Sequence, residues 1–445
     1  MTTRIVILGG GSAGLQTALT LQKKRPPQSA SITVIDPSPY MTYQPFLPEV
    51  VGGHIDPRDV TVPLRKTLRR SKFIQGAMSA IDTDAKSVTV DLADGRTTEV
   101  GYDHLVVAMG AVTRTFPTPG LAENAVGFKS VEEASYVRAR VLGNIEKAAA
   151  STDPAERAKL LTVVFVGGGY TGVEAMGELL DTANAAVDGY PVLSRHELRF
   201  VLVEALDRVA PEVGPELSKW TLGALRARGI DIRLQTTMPS CENGDCVLSD
   251  GETVPAGTIV WTAGVKPNPV LDKTSLPRGP KGHVNANAKL EVVTDDGKRI
   301  DGVWALGDNA QVPDLTAAKQ PAYYPPNAQN AVRQAVTVAD NILASMAGEP
   351  LAEYRHESVG TVASYGIGKG AALIQGVHLK NLLAWLAHRG YHLLAMPTLT
   401  RKWRILTGWV TEIVGGRDET TLENLDDPRA NFVALAAPAS KGAKK

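Results

Sequence analysis

Cysteine is nearly missing from this sequence: 445 residues hold only Cys241 and Cys246. Two cysteines build no disulfide framework and fit a reducing compartment. None of the eight histidines falls into a His/Cys grouping with metal-ligand spacing. Net charge is also lacking. With 47 Lys+Arg against 47 Asp+Glu, the bulk balance gives no reason to expect a nucleic-acid partner. No apolar run approaches the ~18 residues that span a bilayer. The first strand-like run starts at Arg4, which leaves no room for a signal peptide, so the chain is expected on the cytoplasmic side. Low complexity is confined to the last residues, ALAAPASKGAKK, expected to be disordered.

Glycine, by contrast, is plentiful and twice patterned. RIVILGGGSAG sets Gly9, Gly11 and Gly14 after a strand-like run, and AGLQTALTLQKK reads as the helix that follows. VVFVGGGYTGVE repeats this with Gly167, Gly169 and Gly172. In such a turn the first glycine makes the bend and the second lets a pyrophosphate approach the backbone. The third lets helix pack on strand. The helix N-terminus then turns unpaired N–H groups and a positive dipole end toward the phosphates, with Gly10, Ser12 and Ala13 completing the first loop. An acid ending the next strand accepts hydrogen bonds from ribose hydroxyls; Asp36 closes SITVID and Glu204 closes LRFVLVE. Glu204 would repel a 2′-phosphate and so favours NADH over NADPH, a preference that nearby Arg208 softens.

Each fingerprint heads a longer duplicated order. The first half continues through a hairpin signal at Asp94-Gly95 to DHLVVAMG, ending at Gly110; the second continues through Asp250-Gly251 to TIVWTAG, ending at Gly264. DGVWALGDNA, with Asp308, then returns the chain to its first half. The expected fold class is α/β, with two Rossmann-like dinucleotide-binding domains and a C-terminal membrane-associating α/β region carrying amphipathic helices. The boundaries are 1–112 with 270–338 for the first domain, 113–269 for the second, and 339–445 for the rest.

These residues resemble the two-dinucleotide-binding flavoproteins and, more narrowly, the type II NADH dehydrogenases, which are single-chain NADH:quinone oxidoreductases. The resemblance rests on GGGSAG, QPFLPEV, YDHLVVAMGA, GGGYTGVE, VWTAGVKPNP, WALGDNA and AQNAVRQ. It implies FAD in the first domain, NADH in the second, and Asp308 as a ligand to the flavin's ribityl or phosphate groups. It implies a functional glutamate at Glu174, near the flavin ring, and a homodimer, as is common in the family. The reaction implied is hydride transfer from NADH to non-covalent FAD, then two-electron reduction of a membrane quinone, menaquinone or ubiquinone, without proton pumping. Gln329 belongs to the family's quinone motif, but Arg333 stands at the usual place of its second glutamine, with Gln334 next. Glu178, one turn after Glu174, reads as packing or solvated, and Lys380 as a loose match to a family lysine facing the glutamate.

The exit for electrons is narrowed by what surrounds the flavin loop. PYMTYQPFLPEVVGG holds no cysteine, and Cys241 and Cys246 fall in the second half beside a hairpin, so a thiol exit is not expected. The C-terminal region offers a lipid route. Leu379, Leu382, Leu383, Leu386, Leu393 and Leu394 form one helical stripe, and Trp403, Leu406, Val410 and Ile413 another, beside Arg401, Lys402 and Arg404. Three of the six tryptophans lie between 385 and 409. Such helices lie on an anionic bilayer surface without crossing it. The expected place is therefore the cytoplasmic face of the cell membrane, as a peripheral protein. The competing readings are a soluble reductase serving an iron–sulfur protein or soluble quinone, and a non-catalytic FAD/NADH-binding sensor.

Overall fold

Strands bounded by glycine and buried on both faces form the frame. The structure, a computed structural model, describes residues 2–24 and 30–420, so the Ala/Lys-rich end lies outside the described residues. β1 (Thr3–Leu8) buries Ile5, Val6, Ile7 and Leu8 in succession, without the alternation of a one-sided sheet. It leads into α1 (Ser12–Lys24) and β2 (Ala30–Asp36). The loop after β2 carries the short helix α2 (Leu47–Val51), and β3 (His104–Val107) returns beside β1.

The second half runs β4 (Thr162–Val166), α3 (Tyr170–Asp188), β5 (Arg199–Val203) and β6 (Thr258–Trp261). In both sheets the strand before the glycines pairs in parallel with the next strand on one side and with the last strand of its half on the other. β3-β1-β2 and β6-β4-β5 are thus the same arrangement twice. The first sheet has eight strands, adding Arg299–Ala305 and Glu291–Val293 beside β3, and Lys72–Asp82, Ser87–Leu92 and Thr97–Gly101 beside β2. The second has five, with Ala125–Val126 and Asp231–Arg233 at its edges.

α4 (Ala328–Ala347) begins at an Asn327 cap whose side chain accepts from Asn330 N, and it packs along α1. A three-stranded antiparallel sheet follows, made of β7 (Gly360–Ser364), Gly370–Ile374 and Val377–Lys380. Two helices close the described chain, α5 (Asn381–Ala395) and α6 (Leu399–Gly415), with Pro397 between them. Leu379 therefore lies on a strand, not in the helical stripe, because α5 starts only at Asn381.

Candidate active site

The two glycine loops are built alike. Gly14 leaves no room for a side chain, since a Cβ there would sit 1.8 Å from Gly9 O, and Gly172 is held the same way, 2.0 Å from Gly167 O. Gly11 differs: nothing lies within 4 Å of where its Cβ would be, so the loop opens to a ligand there. Ser12 and Ala13 begin α1 and present its N-terminus to that opening. Asp36 and Glu204 each grip their own loop. Asp36 accepts from Gly10 N at 2.6 Å and Ser38 N at 2.7 Å; Glu204 accepts from Gly168 N at 2.5 Å and Leu206 N at 2.7 Å. Burial pushes the Asp36 carboxyl above its ordinary range. Arg208 pairs with neighbouring Asp207 at 2.8 Å, leaving Glu204 as the charge at the second cradle.

The flavin side has a third component. Gly307 N donates to Gln334 Oε1 at 2.8 Å, and Gly110 N donates to Asn309 Oδ1 at 3.0 Å, so α4 and β3 both fix the Gly307–Asn309 turn. Asp308 is left facing Lys129 Nζ at 4.0 Å, with its carboxyl raised by burial. Among the described residues no hydrogen-bond donor reaches that carboxylate. An open glycine cradle, a ribose-type acid and a part-buried carboxylate without a donor together fit a bound FAD. Gly264, at the end of the β6 segment, holds Arg114 N through its carbonyl at 3.0 Å, joining the second sheet to the strand Ala111–Thr113.

Between the cradles, α2, α3, β7, α5 and α6 enclose a cluster of charges. Glu174 Oε1 accepts from Ser364 N at 2.9 Å and lies 3.4 Å from His388 Nε2. Glu178 is fully buried: its oxygens meet His54 Nε2 at 2.8 Å and the Ser364 hydroxyl, also at 2.8 Å. His54 Nδ1 reaches Glu412 at 2.5 Å, so one imidazole bridges α3 and α6. Glu49 accepts from Trp409 Nε1 at 2.8 Å and pairs with Arg389 at 3.2 Å, and the guanidinium stacks between Trp385 and Trp409. Burial opposes charge on both members of the central pair. The attraction wins: His54 is raised to about 9 and Glu178 lowered to about 2. Glu178 is thus neither packing nor solvated but a buried ion. Nothing in the local sequence announces it, because its partners lie far along the chain.

Gln329 and Arg333 share the first turns of α4, as their spacing predicts. Gln329 Oε1 meets His356 Nε2 at 2.9 Å, and burial, with Arg333 second, lowers that imidazole's pKa. Gln334 faces inward to Gly307 and is not beside them on the open face. Lys380 does not face Glu174: it lies 3.8 Å from Glu216 and over the Trp220 ring. The group opposite Glu174 is the His388 imidazole.

The outer faces of α5 and α6 are greasy and, among the described residues, unpartnered. Leu383, Leu394 and Ile413 are 63, 75 and 81% exposed. Two expectations need correction here. Of the three clustered tryptophans only Trp403 is exposed, since Trp409 is buried on Glu49 and Trp385 lies against Arg389. Arg401 and Arg404 both point at Asp59, 3.2 and 3.5 Å away, so the basic rim is partly neutralised. Cys241 and Cys246 are free and buried within the second sheet's core, where burial raises both thiols, Cys246 to about 12. Among the described residues no helix is long and apolar enough to cross a membrane, and no group of acids, histidines and cysteines is arranged for a metal.

Two cradles of this kind, one with a flavin-type third component, define an FAD-dependent oxidoreductase that binds NADH. The pyridine nucleotide-disulphide oxidoreductase family matches residues 3–335. The chain belongs to the type II NADH dehydrogenases: it is 30% identical over 379 residues to the type II NADH:quinone oxidoreductase of Staphylococcus aureus, covering 84% of this chain and 90% of that one. The fold is like that of NDH2 from Plasmodium falciparum in complex with NADH, with a TM-score of 0.85 at 18% identity over 95% of this chain and 100% of the other. It is also like the sulfide:quinone oxidoreductase of Aquifex aeolicus, with a TM-score of 0.69 at 18% identity over 93% and 96% of the two chains.

Proposed function

We propose that the protein is a non-proton-pumping NADH:quinone oxidoreductase that works on the cytoplasmic face of the cell membrane as a peripheral homodimer. The observation that carries this is the two-sidedness of α5 and α6. Their polar faces are bound into the Glu49, Glu174 and Glu178 cluster, while Leu383, Leu394 and Ile413 face outward. A soluble reductase gains nothing from such a surface, which favours association with lipid. The domain division is 1–112 with 270–338 for FAD, 113–269 for NADH and 339–445 for membrane attachment.

Gly9, Gly10, Gly11, Ser12, Ala13 and Gly14, with Asp36, Gly110 and Asp308, hold FAD without a covalent bond; Gly167, Gly169, Gly172, Glu204 and Gly264 hold NADH. FAD supplies a ring that accepts two electrons from the nicotinamide and passes them to a quinone. Glu174 is the carboxylate beside that exchange, fixed by Ser364 N. Gln329 offers an amide, oriented by His356, to one quinone carbonyl, and Arg333 offers a second donor on the same helix face. The acceptor is a membrane quinone, menaquinone or ubiquinone, and a homodimer would use part of the apolar surface of α5 and α6.

The test is anaerobic stopped flow on the purified holoenzyme with ubiquinone in phosphatidylglycerol vesicles. NADH should bleach the flavin, and the vesicles should both bind the protein and restore its colour. Reoxidation by soluble dyes together with none by vesicle quinone would refute the membrane acceptor.

A further inference from the structure

His388 sits on the inner face of α5 at 1% exposure, with Nε2 3.4 Å from Glu174 Oε1. Among the described residues its Nδ1 has no hydrogen-bond partner. A buried, unpaired ring nitrogen is costly unless something else bonds to it. One helical turn later His392 lies edge-on to it, ring centroids 4.6 Å apart at 63°, and His392 Nδ1 is 3.1 Å from the Tyr43 hydroxyl. His388 is buried, whereas His392 is part-exposed. Two imidazoles thus lie in ring contact, the outer one part-exposed and the inner one beside Glu174.

We propose that His388 is a positioning residue that passes a proton to Glu174 during quinone reduction and is recharged through His392. The inference rests on the quinone reading above. NADH contributes two electrons and one hydrogen nucleus as hydride, whereas a quinone becoming a quinol takes up two electrons and two protons. One proton per turnover must therefore come from solution. Glu174 is 8% exposed and the outer face of α5 is apolar, so a direct water route is poor and a side-chain route has work to do.

The charges around His388 suit that role. Glu174 and Glu178 face it from α3 and Glu49 from α2, while Arg389 and His392 lie on its own helix and His54 sits behind Glu178. Burial lowers its pKa, but the Glu174 contact and the three carboxylates outweigh that and raise it overall. Burial, together with His388, holds His392 well below the ordinary histidine value. An inner ring that holds its proton more tightly, beside an outer ring that holds it less tightly, is the arrangement that draws a proton inward.

The test compares wild type with His388→Gln, His388→Lys and His392→Phe as full-length holoenzymes in ubiquinone vesicles. Wild-type reoxidation should slow as pH rises and His388 loses its proton. His388→Gln should be slower by roughly 10²-fold with a flattened pH profile, a loss of the size general acid catalysis supplies. His388→Lys should recover part of the rate and move the fall in rate to higher pH. His392→Phe keeps the ring packing and should slow reoxidation if the outer imidazole recharges the inner one, and it answers the question if the His388 variants do not fold. Imidazole NMR gives a readout apart from turnover: the resonance lost in His388→Gln should titrate above 6.5 in wild type and shift downward in Glu174→Gln. A pH profile unchanged in both His388→Gln and His392→Phe overturns the relay alone. Flavin that NADH bleaches but vesicle quinone never reoxidises, even in wild type, overturns the acceptor and the relay together.

Discussion

Gly11 and Gly14 look identical in a motif and do opposite work. Gly14 is closed in by backbone, so its missing side chain is a packing requirement; Gly11 faces open space, so its missing side chain is a ligand requirement. Gly11→Ala should therefore leave the flavin-free protein within about 0.5 kcal/mol of wild-type stability while flavin absorbance in the purified protein falls sharply. Thermal unfolding of the apoprotein, read beside the absorbance, checks both halves; retained flavin at full occupancy would show that the cradle is not where the pyrophosphate lies. The motif made both glycines visible. It hid Glu178, because an acid in the middle of a helix carries no local mark of its partners, here His54 and Glu412.

A helix's apolar stripe says that one face is greasy and not which way that face points. On α5 Leu382, Leu383, Leu386 and Leu394 turn outward, Leu393 packs against the core, and the inward face holds Ala384, His388 and Arg389. On α6, Trp409 turns inward to Glu49, while Val410 and Ile413 turn out. Hydrophobic residues inside is thus the wrong rule for this pair. Leu394→Ser combined with Ile413→Ser should leave the melting temperature nearly unchanged, as both side chains are exposed, yet weaken vesicle binding by at least ~10-fold, the loss of about 1.4 kcal/mol of apolar burial in lipid. Co-sedimentation with phosphatidylglycerol vesicles measures it; unchanged binding would mean another surface meets the membrane.

Across the whole molecule, the C-terminal helices are held by ions as much as by apolar contact. His54 is raised from 6.5 to about 9, so its stabilisation is complete below pH 6.5 and is lost as pH rises through 9. Glu178 is lowered from 4.5 to about 2, so its share is complete above pH 4.5 and is lost as pH falls through 2. Glu49 and His388, both raised, weaken the fold in the same direction as His54 when pH climbs. The docked arrangement should be firmest between pH 4.5 and 6.5, and the melting temperature should fall steadily from there to pH 9. His54→Gln should lower stability by about 3–5 kcal/mol near pH 6, since it takes the paired cation from buried Glu178 and part-buried Glu412, and should flatten the alkaline fall. Differential scanning calorimetry across pH decides this.

By itself the sequence determined the two nucleotide cradles, because strand, glycine turn, helix and acid are contiguous and each residue's job is set by backbone only a few positions away. Even Asp36 and Glu204 follow from the strand ends that carry them. What joins the cradles to the C-terminal helices was decided by tertiary structure alone. His54, Glu178 and Glu412 become one ion cluster, and His388, not Lys380, comes to face Glu174, only when segments far apart in the chain are brought together. Charge pairing depends on distance in space, which spacing along the chain does not encode.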